Sequence, residues 1–298
     1  MTEVILTANQ YGKAENRVVR VVRDTHRHEV VDLNVTSQLR GDFEAAHTEG
    51  NNAHVVATDT QKNTIFAFAR DGVATPEAFL LRLADHFTGE FDWVTGGRWA
   101  AEQYGWFRIN DHDHAFFRGT PETRTAVVVR DGGDTAVISG FHGLTVMKTT
   151  ESGFVGYPKD KYTTLAETED RILATDIATR WRYSSTAVDG GDLDFNKLYD
   201  SITETMLTAF STGYSKALQQ DLYEMGRAVI TSHPEVDEIK FSCPNKHHFV
   251  YDLSFCGLDN PGVVFYAADR PYGLIEATVQ RAGSQPADAA WIGVAGFC

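Results

Sequence analysis

Cysteines, long apolar runs and positive charge are all scarce in this sequence of 298 residues. The three cysteines (Cys243, Cys256 and Cys298) form no CxxC pair and are odd in number, which favours reduced thiols over a disulfide framework or a zinc site. No run of about 18 apolar residues occurs, and no basic stretch followed by an apolar one opens the sequence. We therefore expect no membrane span, no secretory signal and a cytoplasmic location.

Acidic residues dominate the charge that is present. Asp and Glu number 41 against 27 Lys and Arg, which gives a formal net charge of -14 at pH 7. Proteins that bind nucleic acid usually concentrate Lys and Arg, so this balance argues against a nucleic-acid partner. The hydrophobic fraction of 42% is sufficient for a full-sized core in one large or two ordinary domains.

The first half of the chain predicts strands followed by helices. Two β-rich runs within 16–38 are separated by a polar turn and predict a hairpin. The segment 54–57 predicts a strand that runs into a helix, with Thr58 and Gln61 spaced as a capping box. The other elements predicted here are a helix with Thr75 as cap, Pro76 at its start and Phe79, Leu83 and Phe87 on one face, and strands near 93–107 and 123–129.

The second half repeats this order of strands, helices and strands. Two glycines between acidic residues at 131–134 predict a linker or tight turn. We therefore predict an α+β fold built from two copies of one unit with antiparallel sheets, at residues 1–132 and 133–298. The elements predicted in the second unit are strands at 135–150, 179–187, 238–242, 248–253 and 274–280, and amphipathic helices that carry Phe195 to Phe210 and Leu218 to Val229.

Several polar clusters allow both a structural and a functional interpretation. Taken alone, Lys13 is most simply a solvated charge, Thr58 a helix cap and Gln219 a helix-surface residue. The segment PNKHH at 244–248 places an amide, an ammonium and two imidazoles after a strand, where general bases are also found. The string DHDH at 111–114 looks like a metal-ligand set, but one short loop seldom supplies a whole site, and we expect no metal there.

A longer polar stretch, FVGYPKDKYTTLAETEDR at 154–171, has little apolar periodicity. Arg171 precedes an apolar run, so we expect it where a polar segment enters buried structure. Its planar fork of donors suits a planar anion, and Phe154 could stack on the face of such a ligand. Taken alone, this stretch is more typical of a surface loop with a salt-bridged arginine.

Five motifs together resemble the urate oxidase (uricase) family. They occur in the family's order and span nearly the whole chain. Met147 stands where a smaller aliphatic residue is usual, and Cys243 replaces the leucine common before PNKH. The motifs are YGK at 11–13, VATDTQKNT at 56–64, GLTVMKTT at 143–150, the stretch 154–171 and PNKHH at 244–248.

This resemblance implies a fold, an assembly and a reaction. The fold is two tandem T-fold units per subunit, each an antiparallel sheet with helices on one face. The assembly is a homotetramer in which the sheets close a tunnel-shaped barrel, with active sites at subunit interfaces. The reaction is oxidation of urate by dioxygen and water to 5-hydroxyisourate and hydrogen peroxide, without metal, flavin or other cofactor.

The motif positions imply which residues bind urate. Arg171 and Gln219 would grip the planar anion from two sides, and Phe154 would stack on its ring. The backbone of Leu218 and the backbone amide of Asp59 would add hydrogen bonds, the latter at a helix terminus that favours anions.

The motif positions also imply which residues carry the chemistry. Lys13, Thr58 and His247 match the family's proton-relay triad. Asn245 matches the asparagine that, together with Thr58, holds dioxygen or water above the ring. Removal of a further proton makes urate electron-rich, and a lysine deprotonated by desolvation or neighbouring cations could draw that proton through the threonine hydroxyl.

Two other functions are compatible with such a fold. A non-catalytic purine-binding protein is one, since fold alone does not fix activity, but it has no need to retain Lys13, Thr58 and His247. A metal-dependent T-fold enzyme is the other, and the scattered histidines near 26–28 and 112–114 do not form a convincing ligand set.

Overall fold

The computed structural model describes residues 2–119, 121–294 and 296–298. The strands are β1 Tyr11–Val22, β2 Glu29–Gly41, β3 Val94–Gln103, β4 Trp106–Arg108, β5 Phe116–Arg118, β6 Thr123–Asp131, β7 Asp134–Lys148, β8 Leu173–Tyr183, β9 Val236–Val250 and β10 Phe265–Gln280. The helices are α1 Glu44–Thr48, α2 Thr58–Asp71, α3 Pro76–Glu90, α4 Ser185–Asp189, α5 Phe195–Ser211, α6 Leu218–Ser232 and α7 Asp288–Trp291. Within the described residues, none of these helices combines the length and apolarity that crossing a membrane requires.

The chain divides into two compact units, each built from three separate segments of the sequence. Unit 1 comprises Met1–Gly140, Arg182–Leu198 and Pro286–Ile292. Unit 2 comprises Phe141–Trp181, Tyr199–Gln285 and Gly293–Cys298.

Unit 1 is organised by the antiparallel strands β1, β2, β3 and β6, which neighbour one another in that order. The predicted hairpin is confirmed, with Val18 opposite Leu33 and both side chains buried. Helix α3 begins as predicted, because the Thr75 hydroxyl accepts a hydrogen bond from the Ala78 amide at 3.1 Å. The apolar face of α3 is buried and packs on β3 and β6, and each large side chain there contributes about 1.5–3 kcal/mol.

Unit 2 contains the antiparallel pair β9 and β10, with α6 packed on both. The predicted apolar face of α6 is buried at Leu222, Met225 and Val229. Gly226 lies on the same side, where a Cβ would stand 2.6 Å from Val279. The glycine therefore allows α6 to approach the sheet closely. The predicted α+β class, with antiparallel sheets and helices, is confirmed.

Two predictions near the start of α2 are wrong. Residues 54–57 are not a strand, and the N-cap of α2 is Ala57, which has no capping side chain. The reason lies in Gln61, whose side chain is buried and bonds to the Ser37 hydroxyl at 3.1 Å and to the Val56 carbonyl at 3.4 Å. Gln61 thus anchors the helix to β2 instead of capping it.

Two strand predictions in unit 2 also need correction. The strand predicted at 179–187 is β8, which begins earlier and ends at Tyr183, because the Ser184 side chain caps the short helix α4. The strands predicted at 238–242 and 248–253 are one strand, β9, which continues through Pro244. Pro244 does not end the strand, since its carbonyl accepts a hydrogen bond from the Thr175 hydroxyl and pairing with β10 continues.

The segment 131–134 is a tight turn between β6 and β7. Gly132 adopts a φ of 58°, a conformation that favours glycine. The compact units change at Gly140 and Phe141, within β7. The predicted division into 1–132 and 133–298 stays a prediction.

Candidate active site

A cavity of about 470 Å³ in unit 2 is the candidate binding site. Its wall is formed by the ends of β9 and β10, the start of α6 and the segment that leads into β8. All six predicted site residues that belong to unit 2 line it: Phe154, Arg171, Leu218, Gln219, Asn245 and His247. A second cavity of about 650 Å³ lies along α5 and α6 and contains none of the predicted residues. The chemistry of the wall therefore favours the smaller cavity.

Arg171 lies at the entry to β8, where its backbone amide donates to the Ser152 carbonyl at 2.8 Å. Its guanidinium carbon is 5.2 Å from the centre of the Phe154 ring. The Phe154 backbone forms an antiparallel bridge with Thr168, with its amide 2.7 Å from the Thr168 carbonyl. The loop thus closes on itself and holds the aromatic ring beside the arginine.

The charge of Arg171 is only partly compensated. Burial lowers the pKa of the Arg171 guanidinium, and the nearby Asp221 and Tyr214 act in the opposite direction. Burial raises the pKa of the Asp221 carboxyl, which the Ser215 hydroxyl, Lys148 and Arg171 counteract. The Arg171 Nε is buried and has no hydrogen-bond partner among the described residues. An unpaired buried donor of this kind suits an anionic ligand.

The first two residues of α6, Leu218 and Gln219, line the cavity. Leu218 is the first helical residue and is 1% exposed, and Gln219 follows with an exposed side chain. The N-cap, Ala217, supplies no side-chain hydrogen bond. The positive end of the helix is therefore available to a ligand that carries negative charge.

Strand β9 contributes a row of side chains. Asn245, His247 and Phe249 alternate along the strand, and His247 stacks on Phe249 with ring centres 5.7 Å apart. Burial lowers the pKa of His247, and the neighbouring Arg171 and His248 lower it further. The imidazole is therefore neutral at pH 7 and can accept a proton.

The remaining predicted residues, Lys13, Thr58 and Asp59, lie in unit 1. Lys13 is half-buried in β1, where the register with β2 shifts after it. The Tyr11 hydroxyl donates to the Val56 carbonyl at 3.1 Å. This bond ties the YGK segment to the residues that precede α2.

Thr58 is the first residue of α2 and does not act as its cap. Its side chain is half-buried at the start of the helix. The Asp59 carboxylate is held by Lys62 and Asn63. The Lys62 hydrogen bond lowers the pKa of Asp59, and Lys13 adds a smaller effect in the same direction. Because this side chain is engaged, the backbone amide of Asp59 is the group left for a ligand at the helix terminus.

The structure thus places the predicted residues in two clusters. The binding cluster comprises the six residues of unit 2, and the relay cluster comprises Lys13, Thr58 and Asp59 in unit 1. Each cluster includes the start of a helix whose N-cap provides no side chain.

The side chains of the DHDH segment at 111–114 form ion pairs and ring contacts. Asp111 and Asp113 form ion pairs with Arg27, and the rings of His112 and His114 are 4.5 Å apart. In the part of the chain that the structure describes, no three His, Cys, Asp or Glu side chains gather in a metal-ligating arrangement.

Sequence reasoning missed three residues around the binding cluster. Phe249 and Ile275 add apolar wall, and the alternation from Asn245 along β9 could have indicated Phe249. Asp221, which modulates Arg171, could not have been found this way, because its proximity depends on how α6 packs.

Comparison with known proteins places this arrangement in a family. The model of the family described as Uricase matches residues 9–129 and 137–276. The chain is 64% identical over 297 residues to a uricase of Arthrobacter globiformis, covering 100% of this chain and 97% of that protein. The chain belongs to the uricase family.

The chain is also similar to a more distant uricase and to solved uricase structures. A uricase of Dictyostelium discoideum is 34% identical over 288 residues, covering 94% of this chain and 99% of that protein. The crystal structure of the uricase from Arthrobacter globiformis superposes with a TM-score of 0.93, at 64% identity, covering 98% of this chain and 100% of that chain. A uricase structure from Bacillus fastidious, at 24% identity and a TM-score of 0.75, covers 94% of this chain and 99% of that one and supports the fold alone.

Proposed function

We propose that this protein is a urate oxidase that converts urate, dioxygen and water into 5-hydroxyisourate and hydrogen peroxide without a cofactor. The observation that carries the proposal is the cavity of unit 2, in which a partly uncompensated arginine, an aromatic ring, a glutamine and a neutral histidine converge. The atoms balance: urate gives two electrons and two protons to dioxygen, which leaves as hydrogen peroxide, and water adds to the oxidised ring as the new hydroxyl group.

Binding is the task of unit 2. Arg171 donates its planar fork to the carbonyl edge of urate, and Gln219 offers a donor and an acceptor to the pyrimidine side. Phe154 stacks on the ring, and the backbone of Leu218 adds a hydrogen bond at the start of α6. These groups fix the plane and the orientation of the anion.

Activation is the task of Lys13, Thr58 and His247. Dioxygen reacts slowly with closed-shell molecules, so urate has to lose a further proton and become electron-rich. Thr58 passes this proton towards Lys13, and neutral His247 accepts and returns protons as peroxide forms. Arg171 stabilises the developing dianion, while Asn245 and Thr58 hold dioxygen or water above the ring.

The two clusters form a complete site across a subunit interface. In this proposal one subunit supplies Lys13, Thr58 and the Asp59 amide, and its neighbour supplies the binding cluster. The assembly is a cytoplasmic homotetramer of paired T-fold units, 1–132 and 133–298 in each chain, that close a tunnel-shaped barrel. The start of α2 in unit 1, whose N-cap supplies no side-chain hydrogen bond, supports this proposal, since a helix terminus of this kind suits an anionic ligand.

The first experiment mixes purified protein with urate, with and without a chelator, and follows the urate near-UV band together with peroxide release. We expect equal activity in both samples. Urate binding without turnover would favour the non-catalytic purine-binding protein, and loss of activity with chelator would favour a metal enzyme. Neither binding nor turnover would overturn the proposed function altogether.

A second experiment tests the shared site by co-expressing Lys13→Ala and Arg171→Ala chains. Each variant alone is expected to be nearly inactive. In random mixed oligomers a site is intact when the relay cluster comes from an Arg171→Ala chain and the binding cluster from a Lys13→Ala chain. The chance is one half times one half, so activity should recover to about a quarter of wild type. Mixed oligomers without recovery would contradict the shared site.

A further inference from the structure

A second aromatic ring lies behind Phe154. The rings of Phe154 and Tyr157 are stacked, with centres 4.8 Å apart and an angle of 13° between their planes. Phe154 lines the cavity, whereas Tyr157 is not part of its wall. Tyr157 therefore packs on Phe154 from outside the cavity wall, and the guanidinium carbon of Arg171 lies 5.2 Å from the centre of the same Phe154 ring.

Tyr157 is itself held in place by its own loop. Its hydroxyl donates to the Leu165 carbonyl at 2.6 Å, across the loop whose base is the bridge between Phe154 and Thr168. The Lys159 ammonium lies 5.5 Å from the centre of the Tyr157 ring and pairs with Glu167 at 3.4 Å. The tyrosine is thus fixed at its ring and at its hydroxyl.

We propose that Tyr157 is a positioning residue for urate binding, which acts by holding the plane of the Phe154 ring. This role rests on the proposed function, since it requires a planar ligand stacked on Phe154. A ring supported on one side loses little freedom when a ligand stacks on the other, so the support increases affinity. Tyr157 touches neither urate nor dioxygen, and its effect should appear in binding more than in turnover.

The test compares Tyr157→Phe, Tyr157→Leu and Tyr157→Ala with wild type. Tyr157→Phe keeps the stack and should change urate affinity less than about twofold, whereas Leu and Ala remove it and should weaken affinity about 3- to 10-fold. Anaerobic equilibrium binding of urate gives Kd without turnover, and aerobic assays give KM and kcat. We expect KM to follow Kd while kcat stays within about twofold.

Tyr162→Ala is the matched control, because Tyr162 lies in the same loop and its side chain is 76% exposed. It should bind urate as wild type does. If Tyr157→Leu, folded as judged by circular dichroism, binds as tightly as wild type, the positioning role is wrong. If kcat falls while Kd is unchanged, it is equally wrong. If wild-type protein itself neither binds nor oxidises urate, the proposed function fails, and this role fails with it.

Discussion

The binding cluster and the relay cluster are built in different ways. The binding cluster encloses a cavity and is shaped by buried charge: Arg171 faces the buried Asp221, and His247 is kept neutral. The relay cluster is an open corner, in which a half-buried Lys13 and the Thr58 hydroxyl lie near a helix start. The residues predicted to bind urate thus surround a cavity within unit 2, whereas Lys13 and Thr58, predicted to relay protons, belong to unit 1.

The two clusters also differ in what fixes their backbone. At the relay cluster, a Cβ on Gly12 would stand 1.8 Å from the Ser37 carbonyl oxygen, so two strands touch directly. At the binding cluster, a Cβ on Gly153 would stand 2.1 Å from the Tyr214 hydroxyl, the end of a side chain. A Cβ at Gly12 meets only backbone, whereas a Cβ at Gly153 meets the end of a side chain first and the Thr168 carbonyl oxygen at 3.0 Å.

The largest effects are expected from two substitutions, one that lowers turnover and one that weakens urate binding. Lys13→Ala should lower kcat about 10²- to 10⁴-fold, because the proton acceptor is lost, with a modest change in anaerobic urate binding. Arg171→Ala should weaken binding itself by about 2–5 kcal/mol, because the charged donor that meets the anion is gone. Steady-state kinetics and anaerobic titration measure the two effects.

Lys216→Ala, an exposed lysine outside the cavity wall, is the control and should leave both quantities unchanged. Wild-type turnover in the Lys13→Ala protein would refute its place in the relay. Tight urate binding by Arg171→Ala would remove the distinction between the clusters.

Much of the fold could be predicted from the sequence, because local patterns carried it. The spacing of Phe79, Leu83 and Phe87, with Thr75 and Pro76 before them, gave α3 its face and its start. The errors arose where tertiary packing outweighs a local motif. Gln61 has the spacing of a cap partner but is buried against β2, and Pro244 has the look of a strand end but lies inside β9.

The motifs predicted which residues belong to the site, but not every role that depends on tertiary packing. The motifs named the residues of both clusters, and six of them do line one cavity. The roles of Asp221 and Tyr157 could not be predicted, because they depend on a packed helix and on a loop that folds back. The roles assigned to Lys13, Thr58 and His247 stay predictions until the variants are measured.

A smaller effect is expected from adding one methyl group to each cluster. Gly12→Ala should destabilise the protein by about 3 kcal/mol or more, because its Cβ meets backbone that cannot move without breaking β1–β2 pairing. Gly153→Ala should cost less, about 1–2 kcal/mol, because the Tyr214 hydroxyl can shift at the expense of its hydrogen bond to the Glu169 carbonyl. Urea unfolding at one fixed protein concentration compares them.

Gly89→Ala in α3, where a Cβ meets nothing within 4 Å, is the control and should be neutral or slightly stabilising. Equal losses at Gly12 and Gly153 would show that both clusters are fixed in the same way.

The smallest expected effect is a change in the titration of His247. Burial, Arg171 and His248 lower the pKa of His247 below its ordinary value of 6.5, so the folded protein binds fewer protons than the unfolded chain just below pH 6.5. The stability that neutral His247 contributes is therefore present above pH 6.5 and is lost as the pH falls towards the folded pKa. Arg171→Gln removes one cause and should raise the pKa of His247 towards 6.5, as measured by NMR of its imidazole protons.

Binding of urate, like Arg171→Gln, should raise the pKa of His247. Bound anaerobically to wild-type protein, it places negative charge beside Arg171 and His247, which favours the imidazolium and raises the pKa of His247. Lys216→Gln should leave the titration unchanged, since Lys216 lies outside the cavity wall. An unchanged His247 pKa in Arg171→Gln would mean that burial and His248 keep the imidazole neutral without Arg171. The charge of Arg171 would then have no part in setting the protonation of His247, although both side chains line the same cavity.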